Sequence, residues 1–223
     1  MPEKKGIVIR GIGIDTEKFS PTSVDAEAVD NLREEFAMAP GNHCILMVCA
    51  RLVWSKGVRE FLVAAQTLQL KHPGWTFILV APEDPGSPDT VPQSFVTRFK
   101  DQGIIVINNF RHDIVRFVAM SDIVVLPSYY PEGVPQTLLE GLAMGKPVVT
   151  TDHPGCREVV DEGKNGYLVP IRDCESFILR LESLMEDAPK REEFGRHSRF
   201  KAVTEFSQDI VNNRIINEAY ELS

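Results

Sequence analysis

Two loops in this 223-residue chain concentrate the side chains able to do chemistry. The first reads Arg51-Leu-Val-Trp-Ser-Lys56-Gly57 and follows an apolar run at 44–50. It offers two cations at a strand end, with Gly57 opening a helical stretch. Arginine grips phosphate oxygens in a bidentate manner, and lysine adds a compact point charge. The second runs from Pro127 to Glu140. Pro135 suits the first turn of a helix, where its missing N–H is not needed. The amides of Gln136, Thr137 and Leu138 then point out of a helix N-terminus, which attracts anions. Glu132 stands in the loop ahead of that helix and Glu140 in its second turn. A carboxylate accepts paired hydrogen bonds from a vicinal diol. One carboxylate on either side of a phosphate cradle suits a sugar–diphosphate–ribose ligand. Taken singly, each residue also has an ordinary reading: a solvated cation, a local ion pair, a glutamate on a helix surface.

The elements that position these loops are short β-branched runs alternating with amphipathic stretches. Strands are expected at 44–50, 76–81, 104–107, 123–126 and 147–150, and helices at 58–70, 93–102, 113–120 and 135–144. In the first helix Phe61, Leu62, Ala65, Leu68 and Leu70 share one side, while Arg59, Gln66 and Lys71 face out. Alternation of this kind implies parallel pairing through right-handed crossovers. Continuous apolar strands imply a sheet covered on both faces. The fold expected is α/β, a Rossmann-like doubly wound parallel sheet, with ligands beyond the carboxyl ends of the strands. From Cys174 onward the chain turns helical, at 175–186, 190–205 and 208–222, and the last helix carries an apolar stripe that needs a partner. Residues 1–24 hold one short strand, 7–10, and a polar loop, and look like the tail of a preceding structure.

Composition narrows the class. Hydrophobic residues at 43% and charged residues at 25% fit an ordinary globular protein. A net charge of −8 argues against nucleic acid as a partner. No apolar run approaches the roughly 20 residues that span a bilayer, and the first residues lack the apolar core of a signal peptide. The expected location is cytoplasmic, or the cytoplasmic face of the inner membrane. Cys44, Cys49, Cys156 and Cys174 show neither zinc nor redox spacing and read as core or surface thiols. His153 follows a strand within reach of the presumed cleft, and a structural role is its ordinary reading. Trp54 has two open readings, over the phosphate loop or against a further domain.

Together these features resemble the large retaining glycosyltransferase family four, of GT-B architecture. Glu132 and Glu140 match its E-x7-E motif, and Arg51 with Lys56 its phosphate-binding pair. Segments 121–128, 141–155 and 163–170 follow in the family's order, and the resemblance runs from about Ile9 to Tyr220. It implies that Glu132 contacts the donor sugar, Glu140 holds the ribose hydroxyls, and Arg51 and Lys56 neutralise the diphosphate, with backbone around Gly133–Leu138 assisting. It places the nucleobase near Asn109, Phe110 and Arg111. The patterns at 81–89 and 154–158 look like a subgroup that builds bacterial surface polysaccharides from UDP-hexoses or UDP-N-acetylhexosamines, often on polyprenyl-linked acceptors. The partners implied are a UDP-sugar donor and a glycan or lipid-linked acceptor, with peripheral membrane association of the full enzyme.

The family's enzymes have two Rossmann-like domains, and this chain resembles the second. The expected organisation is an interdomain linker with the last strand of an N-terminal acceptor domain at 1–24, the nucleotide-sugar-binding domain at 25–205, and a helix packing back toward that missing domain at 206–223. The chain alone is then expected to bind a donor without transferring it. No Asp-x-Asp pair is present for the metal of GT-A enzymes, so neither metal nor cofactor is expected. Competing readings are a non-catalytic nucleotide-sugar-binding module, a GT-B-fold sugar-nucleotide epimerase, and an NAD-dependent dehydrogenase. The last is disfavoured because no G-x-G-x-x-G follows the strand at 44–50.

Overall fold

The computed structural model describes residues 13–131 and 133–220, with side chains as far as Asn217. The expected strand at 7–10 and the last residues of the C-terminal helix lie outside the described residues. Six parallel strands form one sheet: β1 (His43–Val48), β2 (Trp75–Val80), β3 (Ile105–Ile107), β4 (Ile123–Leu126), β5 (Val148–Thr151) and β6 (Gly166–Val169). Their order is β3-β2-β1-β4-β5-β6. The chain winds outward in one direction from β1 and in the other from β4, so the two central strands diverge at their carboxyl ends. Register is set by the apolar runs: Ile45 of β1 lies opposite Phe77 of β2 and Ile123 of β4. All three are essentially buried, as continuous apolar strands covered on both faces require.

Nine helices flank the sheet among the described residues: α1 (Ala26–Glu35), α2 (Val58–Lys71), α3 (Gln93–Lys100), α4 (Ile114–Met120), α5 (Gln136–Ala143), α6 (Pro154–Arg157), α7 (Cys174–Met185), α8 (Ala188–Glu205) and α9 (Gln208–Tyr220). α2 packs on α7, α5 on α8, and α1 on α4. Capping residues decide where the late helices begin. Asp173 accepts from the Ser176 amide at 3.0 Å, and Asp187 from the Lys190 amide at 2.9 Å, so α7 and α8 start one and two residues earlier than their periodicity predicts.

Three elements are absent from the sequence reading: α1, the four-residue α6 and β6. α1 buries little beyond Leu32, too weak a stripe to stand out from its polar neighbours. β6 looks like a turn, because it opens on the glycine of Lys164-Asn165-Gly166; only its seat beside β5 makes it a strand. Gly166 is needed there, since a Cβ would meet the Val148 carbonyl oxygen at 2.1 Å. In β1 the ladder ends at Val48, not at residue 50, because the chain turns out of the sheet toward Arg51.

The segment from Gly13 to Ser23 belongs to this body. Ile14 pairs with the junction of α8 and α9, donating to the Phe206 carbonyl at 2.8 Å and accepting from the Gln208 amide at 3.0 Å. The Arg199 guanidinium donates to the carbonyls of Thr16, Phe19 and Ala143 at 2.7–3.0 Å. Ile14 and Phe19 are buried in the common core. Among the described residues, no helix is long and apolar enough to cross a membrane.

Candidate functional site

The site is built at the divergence of β1 and β4. Leaving β1, the chain runs through Cys49 and Ala50 to Arg51, then makes a 3-10 turn at Trp54–Lys56 before α2. Gly57 joins turn to helix in the left-handed region, at φ 80°. A Cβ there would lie 2.2 Å from the Pro127 carbonyl oxygen, so only glycine lets the β1 loop close onto the exit of β4. That closure is hydrogen-bonded. The Tyr129 amide donates to the Ser55 carbonyl at 2.8 Å, and the Ser128 hydroxyl donates to the same oxygen at 3.2 Å. From the other side Asp89 accepts from the Ser55 amide at 3.0 Å and from its hydroxyl at 2.5 Å. The two loops therefore form one rigid rim.

Tyr130 sits between the two cations. The Arg51 guanidinium carbon is 5.4 Å and the Lys56 Nζ 4.8 Å from its ring centroid. Arg51 also meets Asp84 at 3.4 Å. Lys56 is 8% exposed, so its stem is packed and its charge held in place. Tyr130 and Asp84 carry the positioning, and neither was singled out from sequence; the Tyr129-Tyr130 pair beside Pro131 is the signal that could have found the first. Glu132, expected to touch the donor sugar, lies outside the described residues.

Beside this rim is a cavity of about 250 Å3 at the ends of β1 and β2, closed by Phe110, Arg111 and Ile114 on one side and by Gln136, Thr137 and Glu140 on the other. The start of α5 differs by one residue from expectation. Pro135 is the cap, not the first helical residue, and its carbonyl accepts from the Leu138 amide at 3.1 Å. The Leu138 N–H is thereby spent and its side chain is buried. Among the described residues no group accepts from the amides of Gln136 and Thr137, so the N-terminus offers two open donors instead of three. Gly133 is exposed with open space around it, and Val134 packs partly against the core.

Glu140 faces the cavity from the second turn of α5. Burial pushes its carboxyl up to about 7, opposed by the charge of Lys18 from the N-terminal segment. Desolvation penalises the ionised form, and no described group hydrogen-bonds to the carboxylate to offset it. Across the cavity, Phe110 is exposed and packs edge-on to His112, with centroids 4.8 Å apart. Arg111 lines the same cavity, with its guanidinium already paired to carboxylates. It is held by Asp113 at 2.8 Å and by both oxygens of Glu35 at 2.9 and 3.3 Å, and these carboxylates raise its pKa while it lowers that of Asp113. Its role is to brace the loop that presents Phe110. Asn109 does not line the cavity; it opens on a neighbouring groove with Glu35, Glu83 and Asn108.

The other residues raised by the sequence are placed as follows. Trp54 packs edge-on against Phe95 at 4.8 Å. His153 stands at the N-cap position of α6 without a side-chain capping bond, and its Nδ1 is buried without a partner. Cys44, Cys49 and Cys156 are buried thiols and Cys174 is half-buried, none of them in a disulfide. Among the described residues, one grouping has metal-ligand spacing, His72 with Glu182 and Glu186, at the C-terminal ends of α2 and α7. It is an internal ion-pair cluster, His72 meeting Glu182 at 2.9 Å and Lys71 meeting it at 3.3 Å.

A six-stranded parallel sheet whose strand order reverses over a cavity, with a glycine-locked cationic loop at its rim, defines a doubly wound ligand-binding domain. The model of the glycosyl transferases group 1 family matches residues 30–200, and the chain belongs to that family. It is 29% identical over 216 residues to the N,N'-diacetylbacillosaminyl-diphospho-undecaprenol alpha-1,3-N-acetylgalactosaminyltransferase of Campylobacter jejuni, covering 97% of this chain and 54% of that protein. In fold it is similar to HepE of Anabaena, crystallised with UDP, at a TM-score of 0.81 and 24% identity, over 94% of this chain and 56% of that one. It is also similar to the C-terminal domain of the group 1 protein LpcC from Francisella tularensis, at a TM-score of 0.73 and 23% identity, over 87% of this chain and 99% of that one. The chain spans about half the length of the curated relatives it matches.

Proposed function

We propose that this chain is the donor-binding domain of a retaining glycosyltransferase that uses a UDP-hexose or UDP-N-acetylhexosamine in surface-glycan synthesis. The observation that carries this reading is the cavity closed by Phe110 on one side and Glu140 on the other, next to a rim bearing Arg51 and Lys56. An exposed aromatic suits a base, a carboxylate suits the two ribose hydroxyls, and two fixed cations suit a diphosphate. Glu132, one residue beyond the described loop, would take the donor sugar. The UDP bound to HepE and the undecaprenyl-linked acceptor named for the Campylobacter relative support the choice of base and of acceptor class.

In the reaction the bond from the anomeric carbon to the β-phosphate oxygen breaks, and the acceptor hydroxyl bonds to that carbon on the face the phosphate leaves. Its proton passes to the departing UDP. Negative charge grows on the β-phosphate. Arg51, Lys56 and the open amides of Gln136 and Thr137 stabilise it, and fixed donors of this kind are worth about 3–4 kcal/mol each. No divalent ion is needed in this scheme, because the two cations supply the charge. The acceptor would be held by a further domain. Titration calorimetry of the chain with UDP, ADP and GDP tests the donor reading: UDP should bind best, and equal or absent binding of all three refutes it.

A further inference from the structure

A second recess, of about 560 Å3, opens between the start of α2, α3 and the loops after β4 and β6. It shares no lining residue with the cavity at Glu140. Three arginines from three elements line it: Arg59 of α2, Arg98 of α3 and Arg172 after β6. All three are exposed, and none forms an ion pair with a described carboxylate. In a chain of net charge −8 three arginines thus converge on one recess, and Arg59 and Arg172 act electrostatically on the Glu60 carboxyl that shares it. Two of the guanidiniums are oriented by aromatic rings. Arg172 lies 4.3 Å from the centroid of Tyr129, and Arg98 lies 5.2 Å from Phe95. Arg172 takes the left-handed backbone region, at φ 61°, a conformation retained by a non-glycine residue only where its surroundings fix it.

A second, independent feature lies in the same recess. Glu60 is 6% exposed, and its Oε2 is buried with no hydrogen-bond partner. A buried carboxyl oxygen left unmatched is costly, and it accepts readily from a hydroxyl. Trp54 completes the wall, half-buried and held edge-on by Phe95. Arginines select a carboxylate or phosphate, an aromatic wall suits the C–H face of a pyranose, and Glu60 suits a ring hydroxyl. The volume falls in the range of small-molecule sites.

We propose that this recess binds an acidic saccharide: a pyranose bearing a phosphate or a carboxylate, its anion held by Arg59, Arg98 and Arg172 and a hydroxyl by Glu60. The site stands independently of the donor reading. The test is calorimetric titration of the chain with glucose 6-phosphate, glucuronate, glucose and inorganic phosphate. One of the two acidic sugars should bind, tighter than both glucose and inorganic phosphate, and which one does so identifies the anion. The double variant Arg98→Ala/Arg172→Ala, altered only at exposed side chains, should weaken that binding by at least about tenfold. Arg51→Ala should leave it intact, separating the recess from the phosphate loop. Glu60→Gln should narrow the preference for the acidic sugar over inorganic phosphate. Failure of both acidic sugars to bind, binding no better than inorganic phosphate, or binding unaffected by the double variant overturns the proposal.

Discussion

Replacing Glu140 by glutamine should change both donor affinity and stability, each with a defined pH signature. The carboxyl titrates at about 7 in the fold, against an ordinary value of 4.5, because burial disfavours its charge. A ribose diol donates hydrogen bonds to the ionised form, so donor binding selects carboxylate over acid. With a pKa of about 7 the ionised fraction rises from roughly one-tenth at pH 6 to roughly nine-tenths at pH 8. Affinity for UDP-glucose should therefore rise about tenfold over that interval. UDP-glucose is the right probe, because its diphosphate diester does not titrate there, unlike the terminal phosphate of UDP. The stability term runs the other way. A carboxyl whose folded pKa is raised is more protonated in the folded than in the unfolded chain, so stability is lost as pH rises from about 4.5 through about 7. A shift of this size corresponds to up to about 3 kcal/mol. Glu140→Gln should accordingly match the parent at pH 4 and exceed it by up to about 3 kcal/mol at pH 8 in urea unfolding, while binding UDP-glucose more weakly with no pH slope. A flat parent profile, or a slope that survives in Glu140→Gln, refutes the assignment of the ribose to this carboxylate.

Other substitutions probe the rim. Lys56→Ala, placed in an enzyme carrying both domains, should lower kcat by about 10²–10³ with its circular dichroism unchanged, since it removes one fixed donor at the leaving phosphate. Gly57→Ala should destabilise the chain by at least about 2 kcal/mol in urea unfolding, because the new Cβ meets the Pro127 carbonyl and the left-handed backbone no longer suits the residue. Arg111→Ala should cost about 1 kcal/mol, its partners being partly exposed, and should weaken UDP binding through the loop that carries Phe110. Transfer by the two-domain enzyme should persist in excess EDTA; abolition by the chelator would show that Arg51 and Lys56 do not carry the diphosphate charge unaided.

Much of the architecture is legible in the chain itself. Five of the six strands are short apolar runs whose neighbours alternate with helical period, and those local signals already impose parallel pairing and a cleft at the carboxyl ends of the strands. The placement of Arg51 and Lys56 after β1, and of Pro135 and Glu140 at the helix that follows β4, is likewise a sequence property, because each pair lies on the connection leaving its strand. α1, α6 and β6 escape because their own residues carry weak signals, and packing on α4 and β5 supplies what composition does not.

What sequence alone determined is the inventory: two cations, a helix start and a carboxylate, at the loops where a doubly wound sheet binds ligands. What only the tertiary structure decided is how each group stands once those loops meet. Gly57 is required by a carbonyl seventy positions away, at Pro127. Tyr130 brings Arg51 and Lys56 to one ring, Pro135 consumes the Leu138 amide, and Glu35 with Asp113 pairs the Arg111 guanidinium. Glu140 looks like any surface glutamate on a helix until the cavity wall strips its water and moves its titration to neutrality. The recess of Arg59, Arg98 and Arg172 has no sequence signature at all. These are effects of distance and desolvation between residues remote in the chain, and a linear pattern holds no information about either.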